Sequence, residues 1–461
     1  MERGVGIGGL ADNKEAYTTS RFNHYAPYTF ETEVKNTFTF DYPPSPVRPE
    51  YDSSLPITFS ILEEKEMFTK IKTIKLHGNL KVWNETTNAE PAAGEVWSLC
   101  NNYTHSLFSN VSCQIGDHEI VDSSSQPYGY KAYLENLLVP TAQYQQAIMC
   151  ADGWYKDESQ TCAMSSASFV ARRKNIERGG VMEFIMPVHH DIITCTRELP
   201  PDKPLKFRFI RAPDKFVIWS PATNGVADAK STEDPKPIIP YVYKIILTDL
   251  RLSISKVVCA DRIFNHYYNA GPGKLPEIPF TRNLIRSYTT SANNTDLGQP
   301  YIIQNKQLPE AIYVVFVDQQ AYDGDQTLNP FNFETLILKE VSLIVNGRHE
   351  PMSPLSNVVE EYRRRDFYEH FLENTGRDHF NSQAVNISMD DYFDNGYFIL
   401  AWDRTASSDN RFQRHTMDRG WITLNLKLAT AAPKKYQVIM YCSYSDAIIL
   451  DGKSVTSSIR F

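Results

Sequence analysis

Two adjacent histidines followed by an aspartate are the first residues here whose types could do chemistry. His189, His190 and Asp191 all carry side chains that bind transition metals such as Zn²⁺. Successive residues of a strand point to opposite faces, so both histidines cannot reach one ion unless the chain bends between them. The spacing therefore favours a structural role over a metal site.

Acidic residues could bind Ca²⁺ or hydrolyse glycosides. The runs Asp323-Gly324-Asp325 and Asp390-Asp391 to Asp394 offer oxygen ligands, but neither has EF-hand spacing, and short Asp/Gly runs commonly form turns. Glycoside hydrolysis needs two carboxylates across a cleft. Glu119 and Glu350 instead occupy matching turn positions of an internal repeat, which favours a structural explanation for both.

A glycine-rich run and two basic clusters could bind phosphate groups. The run Gly4 to Gly9 follows no strand and is not continued by Lys-Ser/Thr, so we interpret it as a flexible tail. Clusters as short as Arg172-Arg173-Lys174 and Arg363-Arg364-Arg365 are usually solvated faces or inter-subunit ion pairs. The formal net charge of -8 also disfavours direct binding to nucleic acid. We therefore predict no catalytic residue, no metal ligand and no cofactor.

The composition indicates a large, β-rich chain that is not secreted. Of 461 residues, 42% are hydrophobic and 22% are charged, as in globular proteins, and the 26 Tyr and 24 Phe favour pleated surfaces. The N-terminus lacks the apolar run of a signal peptide, and no stretch approaches the roughly 18 apolar residues of a membrane span. We expect a protein that stays in the cytosol or nucleus.

The cysteines and the glycosylation sequons fit that expectation. The sequence has seven cysteines without a CxxC pair, which we interpret as free, buried thiols. A chain outside the secretory pathway cannot use its Asn-x-Ser/Thr sequons, so we treat them as chance. These sequons begin at Asn84, Asn102, Asn110, Asn293 and Asn386.

Five segments recur in the same order in the two halves of the chain, which indicates an internal repeat. One pair consists of alternating strands, one of strand-to-turn segments and one of helices. The remaining two pairs lie near the end of each half. The matched pairs are residues 74–82 with 248–254, 111–119 with 341–350, 128–138 with 358–374, 180–186 with 396–402, and 212–216 with 432–436.

The repeat predicts an all-β protein of two consecutive eight-stranded jelly rolls, with a short helix inserted in each. Residues 1–54 read as an N-terminal arm because prolines 43, 44 and 46 forbid a central strand there. The predicted divisions are 55–222 for the first roll, 223–240 for a linker, and 241–461 for the second roll, with a loop insertion at about 260–308.

Four stretches of the sequence are similar to a known family. They resemble the hexon-like major capsid proteins of Polinton/Maverick elements and adintovirus-like animal DNA viruses, and the resemblance runs from about residue 55 to the end. The chain departs from the family pattern in its N-terminal arm and in having Trp402-Asp403-Arg404-Thr405 in place of Phe-Asp-Leu-Thr. The four stretches are YGYKAYLENLL (128–138), GWYKD (153–157), LPEAIYVVFVDQQAYDGDQTLNPFNF (308–333) and DNGYFILAWDRT (394–405).

The resemblance implies a structural protein and not an enzyme. It implies homotrimers whose six rolls form a pseudo-hexagonal capsomer, neighbouring capsomers that tile an icosahedral virion shell, and penton and minor capsid proteins as further partners. Assembly would take place in the host cytoplasm or nucleus. Two alternatives stay open: a minor or vertex capsid protein with fivefold association, and a β-sandwich enzyme or carbohydrate-binding module. We also expect the 260–308 insertion and the loop from Asn84 to Val96 to form exposed or inter-capsomer surface.

Overall fold

A computed structural model gives the fold of most of the chain. Gly4 to Gly9, Cys162 and Arg363 lie outside the described residues. The described residues are 33–64, 66–120, 127–160, 166–177, 180–227, 238–268, 275–356, 358, 364–375, 385–405, 418–451 and 454–457.

The first half of the chain folds into two facing antiparallel sheets. One sheet has the strand order β1-β8-β3-β6 and the other β2-β7-β4-β5, which is the two-sheet arrangement of a jelly roll. In the described part of the chain these eight strands are β1 (Val34–Tyr42), β2 (Ile57–Ile61), β3 (Met67–Asn84), β4 (Phe108–Ile115), β5 (His118–Glu119), β6 (Val181–Pro187), β7 (Leu205–Arg211) and β8 (Tyr243–Cys259).

The second half repeats this arrangement. Its sheets have the orders β9-β16-β11-β14 and β10-β15-β12-β13, so each strand matches the one eight places earlier. Among the described residues the strands are β9 (Glu277–Thr289), β10 (Gln299–Gln307), β11 (Ala311–Asp318), β12 (Leu338–Val345), β13 (Arg348–Leu355), β14 (Leu400–Asp403), β15 (Arg419–Leu428) and β16 (Tyr436–Asp451).

Helices and short strands occupy the connections. The helix predicted at 128–138 has those bounds, whereas the one predicted at 358–374 begins at Arg364 in the described residues. The helices are α1 (Tyr103–Ser106), α2 (Tyr128–Leu138), α3 (Ala142–Ala147), α4 (Ala167–Glu177), α5 (Asp214–Val217), α6 (Asp261–Tyr268), α7 (Gln319–Asp323), α8 (Arg364–Asn374) and α9 (Met389–Asp394), with 3-10 turns at Met149–Asp152 and Asp191–Thr194. The short strands are Ser98–Leu99, Ile218–Trp219, Gly225–Ala227, Ile238–Pro240 and Ser454–Ser457.

Strand pairing moves the boundary between the two rolls. Strand β8 was assigned to the second roll, but it pairs with β3 from Tyr243 opposite Asn84 to Val258 opposite Met67. Strand β1, assigned to the N-terminal arm, pairs with the other edge of β8. The first roll therefore begins at β1 and ends at Cys259, and the predicted linker 223–240 lies inside it, before β8.

The predicted insertion and one repeat match are also corrected. Residues 260–308 hold α6 and the strands β9 and β10 of the second roll, so most of this segment is not a loop. Residues 74–82 and 248–254 are not equivalent copies but neighbouring strands of one sheet. An alternation of apolar and polar residues shows only that one face of a strand is buried. Two neighbouring strands of one sheet have the same alternation, so this pattern does not identify repeat copies. The other four matches lie at corresponding places in the two rolls.

The alternation of β3 places its apolar side chains in the core. Ile74, Leu76, Leu80 and Val82 are buried, while the residues between them face outward. A bulge interrupts the pairing with β8 between Thr248 and Arg251. Opposite it, a Cβ on Gly78 would lie 2.4 Å from a Leu250 side-chain carbon, so this position needs glycine.

Pairing of β1 with β8 can be tested by cross-linking. Val34 lies opposite the native Cys259, so the variant Val34→Cys places two thiols across neighbouring strands. We expect the introduced thiol to form a disulfide with Cys259 under mild oxidation, detected by mass spectrometry of the proteolysed protein. The variant Asn36→Cys is the control because Asn36 lies opposite Val258, whose side chain points to the other face of the sheet from that of Cys259. Equal cross-linking of both variants, or of neither, would contradict the observed register.

Candidate functional site

The two rolls meet at a junction built mainly from connections of the first roll. Helix α2 and the turn at Asp191–Thr194 lie against strands β9 and β16 of the second roll. Both elements come from the connections that flank strand β6. The junction therefore brings polar side chains of the two rolls together in a dry setting.

We define the junction cluster as Lys131, Glu135, His189, Asp191, Asn283 and Tyr441. Lys131 Nζ donates to Asp191 Oδ1, and the backbone N–H of Asn283 donates to Asp191 Oδ2 at 3.0 Å. The side chains of Lys131 and Asp191 are only 7% and 1% exposed, so this ion pair is buried. It ties α2 to a strand of the second roll through one carboxylate.

Glu135 supplies the second carboxylate of the junction cluster. Its Oε1 accepts hydrogen bonds from Asn283 Nδ2 at 3.2 Å and Tyr441 OH at 3.1 Å, both in the second roll. Its Oε2 lies 2.6 Å from His189 Nδ1. The polar atoms of both rolls thus meet at Glu135, and partnered polar groups of this kind cost little to bury.

Burial and pairing shift the pKa values of three groups in the junction cluster. Burial lowers the pKa of Lys131, but the nearby Asp191 and Glu135 raise it by more, so the ammonium stays protonated. Burial raises the pKa of Asp191, and Lys131 opposes this shift. For Glu135 the attraction of Lys131 and the bond from His189 outweigh burial and lower the pKa. A charged pair with few exposed atoms suits structural attachment more than proton transfer.

Aromatic side chains form the apolar part of the junction. Tyr133 stacks on Phe331 with ring centroids 4.1 Å apart and an angle of 5° between the rings. Tyr130 packs edge-on against the same ring, and its hydroxyl donates to Pro330 O at 3.0 Å. Stacked rings add about 0.5–1.5 kcal/mol per pair beyond area burial, so this face binds tightly as well as specifically.

A second polar group lies beside the aromatic rings. Lys156 Nζ donates to Asp391 Oδ2 at 2.6 Å and to the Asn386 carbonyl at 2.7 Å. Tyr397 OH donates to the Asp157 carbonyl at 2.8 Å. Residues 153–157 of the first roll are therefore fixed to the α9 region of the second.

Comparisons with known proteins support the fold described above. No family model matches the chain. An uncharacterized protein of Caenorhabditis elegans is 22% identical over 361 residues, covering 77% of this chain and 80% of that protein.

Solved structures of similar fold come from DNA viruses. A Sputnik virophage chain from a cryo-EM structure has a TM-score of 0.60 at 10% identity, covering 95% of this chain and 91% of that one. The Faustovirus major capsid protein has a TM-score of 0.58 at 10% identity, covering 96% of this chain and 94% of its own. The mavirus major capsid protein has a TM-score of 0.51 at 9% identity, with the same coverage of both chains.

The chain has a double jelly-roll fold. The four stretches that carry the family resemblance meet at the junction of this double jelly roll. The stretch 128–138 contacts 308–333 through Tyr130 and Phe331, and 153–157 contacts 394–405 through Asp157 and Tyr397. Residues of all four stretches therefore take part in attaching one roll to the other.

The three residues considered as metal ligands form hydrogen bonds with other groups of the protein. His189 and Asp191 belong to the junction cluster, while His190 is 5% exposed and its Nδ1 accepts from the Ile192 N–H at 3.2 Å. Burial lowers the pKa of His190 to about 3. The described residues contain no group of three or more His, Cys, Asp and Glu side chains placed to hold a metal ion.

The acidic candidates serve turns, helix ends and ion pairs. Both Asp323 oxygens accept from Gln319 Nε2, and Asp325 Oδ1 accepts from the Thr327 N–H and hydroxyl at 2.8 Å. Asp391 completes a capping box with Ser388 at the start of α9. The turn-forming role predicted for the acidic runs is found at Asp325, whereas Asp323 ends α7 and residues 390–394 lie in α9, so the prediction is wrong for those residues.

Glu119 and Glu350 lie in the strands that follow equivalent turns, but Glu350 is one position farther from its turn, so the predicted match of the two residues is off by one. Glu119 lies opposite Gln114 in the β4–β5 pairing, and Glu350 lies opposite Leu343 in the β12–β13 pairing. Glu350 Oε2 also accepts from Arg404 Nε at 2.9 Å. The two carboxylates lie in different rolls and do not face each other across a cleft.

The first basic cluster was interpreted wrongly at one position. Arg172 is 1% exposed, and its Nη1 lies 2.8 Å from Asp157 Oδ1, so it is a buried intramolecular partner and not a solvated charge. Arg173 lies over the Trp97 ring, and Lys174 is exposed. In the second cluster Arg365 is exposed, and nothing is described for the side chain of Arg364.

The cysteine prediction is confirmed for four thiols. Cys100, Cys113, Cys195 and Cys442 are free and buried, whereas Cys150 and Cys259 are partly exposed. Burial raises the pKa of Cys100 to about 12, which keeps it unreactive. Three sequon asparagines, at positions 84, 102 and 110, are buried in the folded chain. A search of the described helices for a membrane-crossing segment gives none.

Removing Lys131 would test the buried ion pair. Lys131→Met leaves Asp191 buried without its cation, and we expect a loss of about 3–5 kcal/mol in the free energy of unfolding. The double variant Lys131→Met/Asp191→Asn should lose less unfolding free energy than Lys131→Met. The amide oxygen at position 191 can still accept from the Asn283 N–H, and neither position carries a buried charge. Urea denaturation at neutral pH measures both. Equal or greater loss in the double variant would show that the pair is not coupled.

Buried neutral histidines make the fold sensitive to acid. Burial holds the pKa values of His190 and His105 below the ordinary 6.5, so below that pH the unfolded chain binds more protons than the folded one. Stability should fall as the pH drops from about 6.5 toward 3, by up to about 1.4 kcal/mol per pH unit for each histidine. Urea denaturation at about pH 7 and pH 5 measures how much unfolding free energy is lost on acidification. This loss should be smaller for His190→Gln than for wild type. Identical losses would rule out a contribution from His190.

Proposed function

We propose that this protein is the major capsid protein of a DNA virus and has no enzymatic activity. The observation that carries the proposal is the double jelly roll with matching strand order in both halves. Two solved proteins that share the fold, from Faustovirus and mavirus, are major capsid proteins. A structural role for the junction cluster and the acidic turns supports the same conclusion.

The capsomer would be a homotrimer. Two rolls in each chain, assembled three times, give six similar units around one axis, and closed symmetry then repeats one set of contacts. Exposed large apolar side chains are available for such contacts, among them Val47, Leu62 and Met352, at 71%, 73% and 94% exposed.

Further partners follow from the capsid role. Neighbouring capsomers would bind the flanks of the trimer, and penton and minor capsid proteins would complete the shell, with the virion as the location. The loop from Asn84 to Val96 suits contact between capsomers, because residues 85–90 are exposed. Direct binding of the genome is not part of the proposal, since the net charge is -8.

The alternatives have less support. A minor or vertex capsid protein normally needs a single roll, and this chain has two. An enzyme or carbohydrate-binding module would need a pocket with convergent polar groups that are free to bind. A cavity of about 400 Å³ in the first roll is lined by Glu95, Asn224 and Tyr241 among others. Within it, Glu95 Oε2 already accepts from Asn84 and Tyr243, which suits structure more than catalysis.

The mass of the purified full-length protein tests the proposal. We expect multi-angle light scattering to give three times 52.7 kDa, and electron microscopy to show particles with pseudo-hexagonal outline. Raising the concentration should then produce curved or closed shells. A strictly monomeric species at high concentration would contradict the capsid role, and pentamers would favour a vertex protein.

A further inference from the structure

The connection that follows β3 and the one that precedes β8 enclose the cavity of the first roll. We name it the Glu95 cavity. Its volume is about 400 Å³, which lies in the range of small-molecule sites in proteins. Gly94 and Thr223 line it and are exposed, so the cavity opens to solvent.

Glu95 places a buried carboxylate in the wall of this cavity. The residue is 6% exposed, and its Oε2 accepts from Asn84 Nδ2 at 2.9 Å and from Tyr243 OH at 2.8 Å. Among the described residues, no donor is bonded to Oε1 and no cation is paired with the carboxylate. Oε1 is therefore the oxygen that is left to bind a ligand in the cavity.

Other buried carboxylates of this chain have a cation beside them. A carboxylate that is taken out of water without a cation is costly, so such pairing is expected. Glu95 therefore has the charge for a cation that none of the described residues supplies. The paired carboxylates are Asp157 with Arg172, Asp191 with Lys131, and Asp446 with Arg282.

Neighbouring side chains hold the carboxylate in position before any ligand binds. Asn224 Nδ2 donates to the Val96 carbonyl at 2.7 Å and to Tyr243 OH at 2.9 Å, and its Oδ1 accepts from the Val96 N–H at 3.0 Å. Tyr243 in turn donates to Glu95. Because this network fixes the wall of the cavity, a ligand that binds there orders few further side chains.

The lining favours an organic cation over a metal ion. Calcium takes about six to eight oxygen ligands, and Glu95 supplies one free carboxylate oxygen. Tyr241 lines the cavity, and a Cβ on Gly225 would lie 2.8 Å from Ile238 Cγ2, so aromatic and aliphatic side chains border the carboxylate. Such walls suit a cation that is carried on an alkyl stem.

The single free oxygen distinguishes an ammonium from a guanidinium. A guanidinium binds a carboxylate best through two parallel hydrogen bonds, one to each oxygen. Oε2 of Glu95 already accepts two hydrogen bonds, so only Oε1 remains. An ammonium is a compact charge that needs one carboxylate oxygen, and the Thr223 hydroxyl in the cavity wall offers a further acceptor.

We propose that the Glu95 cavity binds an alkylammonium group, with the nitrogen at Glu95 Oε1 and the alkyl stem beside Tyr241. A free small amine and a lysine side chain both carry this group. All lining residues of the cavity belong to the first roll of a single chain, so its ligand does not depend on the capsid role.

Ligand titration of the full-length protein tests the site. The probes are butylamine and Nα-acetyl-lysine N-methylamide, which carry an ammonium on the same alkyl stem. Butan-1-ol and Nα-acetyl-norleucine N-methylamide are their uncharged counterparts. Saturation-transfer NMR at low salt measures binding. We expect a dissociation constant on the order of 1 mM for at least one amine, and at least about tenfold weaker binding of its uncharged counterpart.

Three variants locate the binding. Glu95→Gln removes the charge while its amide oxygen still accepts from Asn84 and Tyr243, and we expect at least about tenfold weaker binding of the amine. Gly94→Leu should also weaken it, because a Cβ there meets nothing within 4 Å and the leucine then takes up room in the cavity. The control Glu85→Gln removes the same charge from an exposed side chain of the same connection and should bind like wild type.

The two amines distinguish the source of the ammonium. Tighter binding of the lysine amide would indicate a lysine side chain of a protein partner, and equal or tighter binding of butylamine would indicate a free amine. Circular dichroism should show that every variant is folded. Amines that bind no better than their uncharged counterparts, or that bind Glu95→Gln and Gly94→Leu as they bind wild type, would overturn the inference and leave the capsid role intact.

Discussion

The buried carboxylate of Asp191 joins the two rolls, because it is paired with Lys131 in the first roll and accepts from Asn283 in the second. A charge taken out of water is costly unless a partner and further hydrogen bonds compensate it, so each group needs the other at a fixed position. Asp191 also accepts from the backbone of Asn283, which extends the requirement to the second roll. Sliding of one roll along the other would remove the Asn283 N–H from Asp191 and leave that donor without its carboxylate. The aromatic stack of Tyr133 on Phe331 adds affinity to the same arrangement.

This dependence explains why residues with titratable side chains gather where the two rolls meet. Histidine, lysine and carboxylates in close contact are typical of active sites, and the pKa values of Lys131, Glu135 and Asp191 are shifted as those of catalytic groups commonly are. In this chain the shifts follow from burial and from pairing inside the junction. The side chains of the junction cluster bind one another, and their hydrogen bonds connect the two rolls in one orientation. Residue types alone do not distinguish such a structural cluster from an active site.

The sequence predicted the class of fold, the duplication and helix α2, because alternation and helix periodicity are local signals. It failed where assignment depended on pairing between distant segments. Strand β8 was placed in the wrong roll, since its pattern is that of any strand with one buried face. Strands β9 and β10 were missed because Asn, Gly and Pro dominate the segment around them. The burial of Arg172 had no local signal, as its partner Asp157 lies in another element.

The pairing of β1 with β8 has a consequence for synthesis on the ribosome. Val34 and Cys259 are opposite each other, so β1 cannot pair until a partner more than two hundred residues later in the chain has been made. Contacts of such long sequence separation form slowly, and the unpaired edge is prone to aggregate in the meantime. The first roll can close only after Cys259 has left the exit tunnel, when more than half of the 461 residues have been translated. Nascent chains therefore pass through a long interval in which protection by a chaperone would matter most.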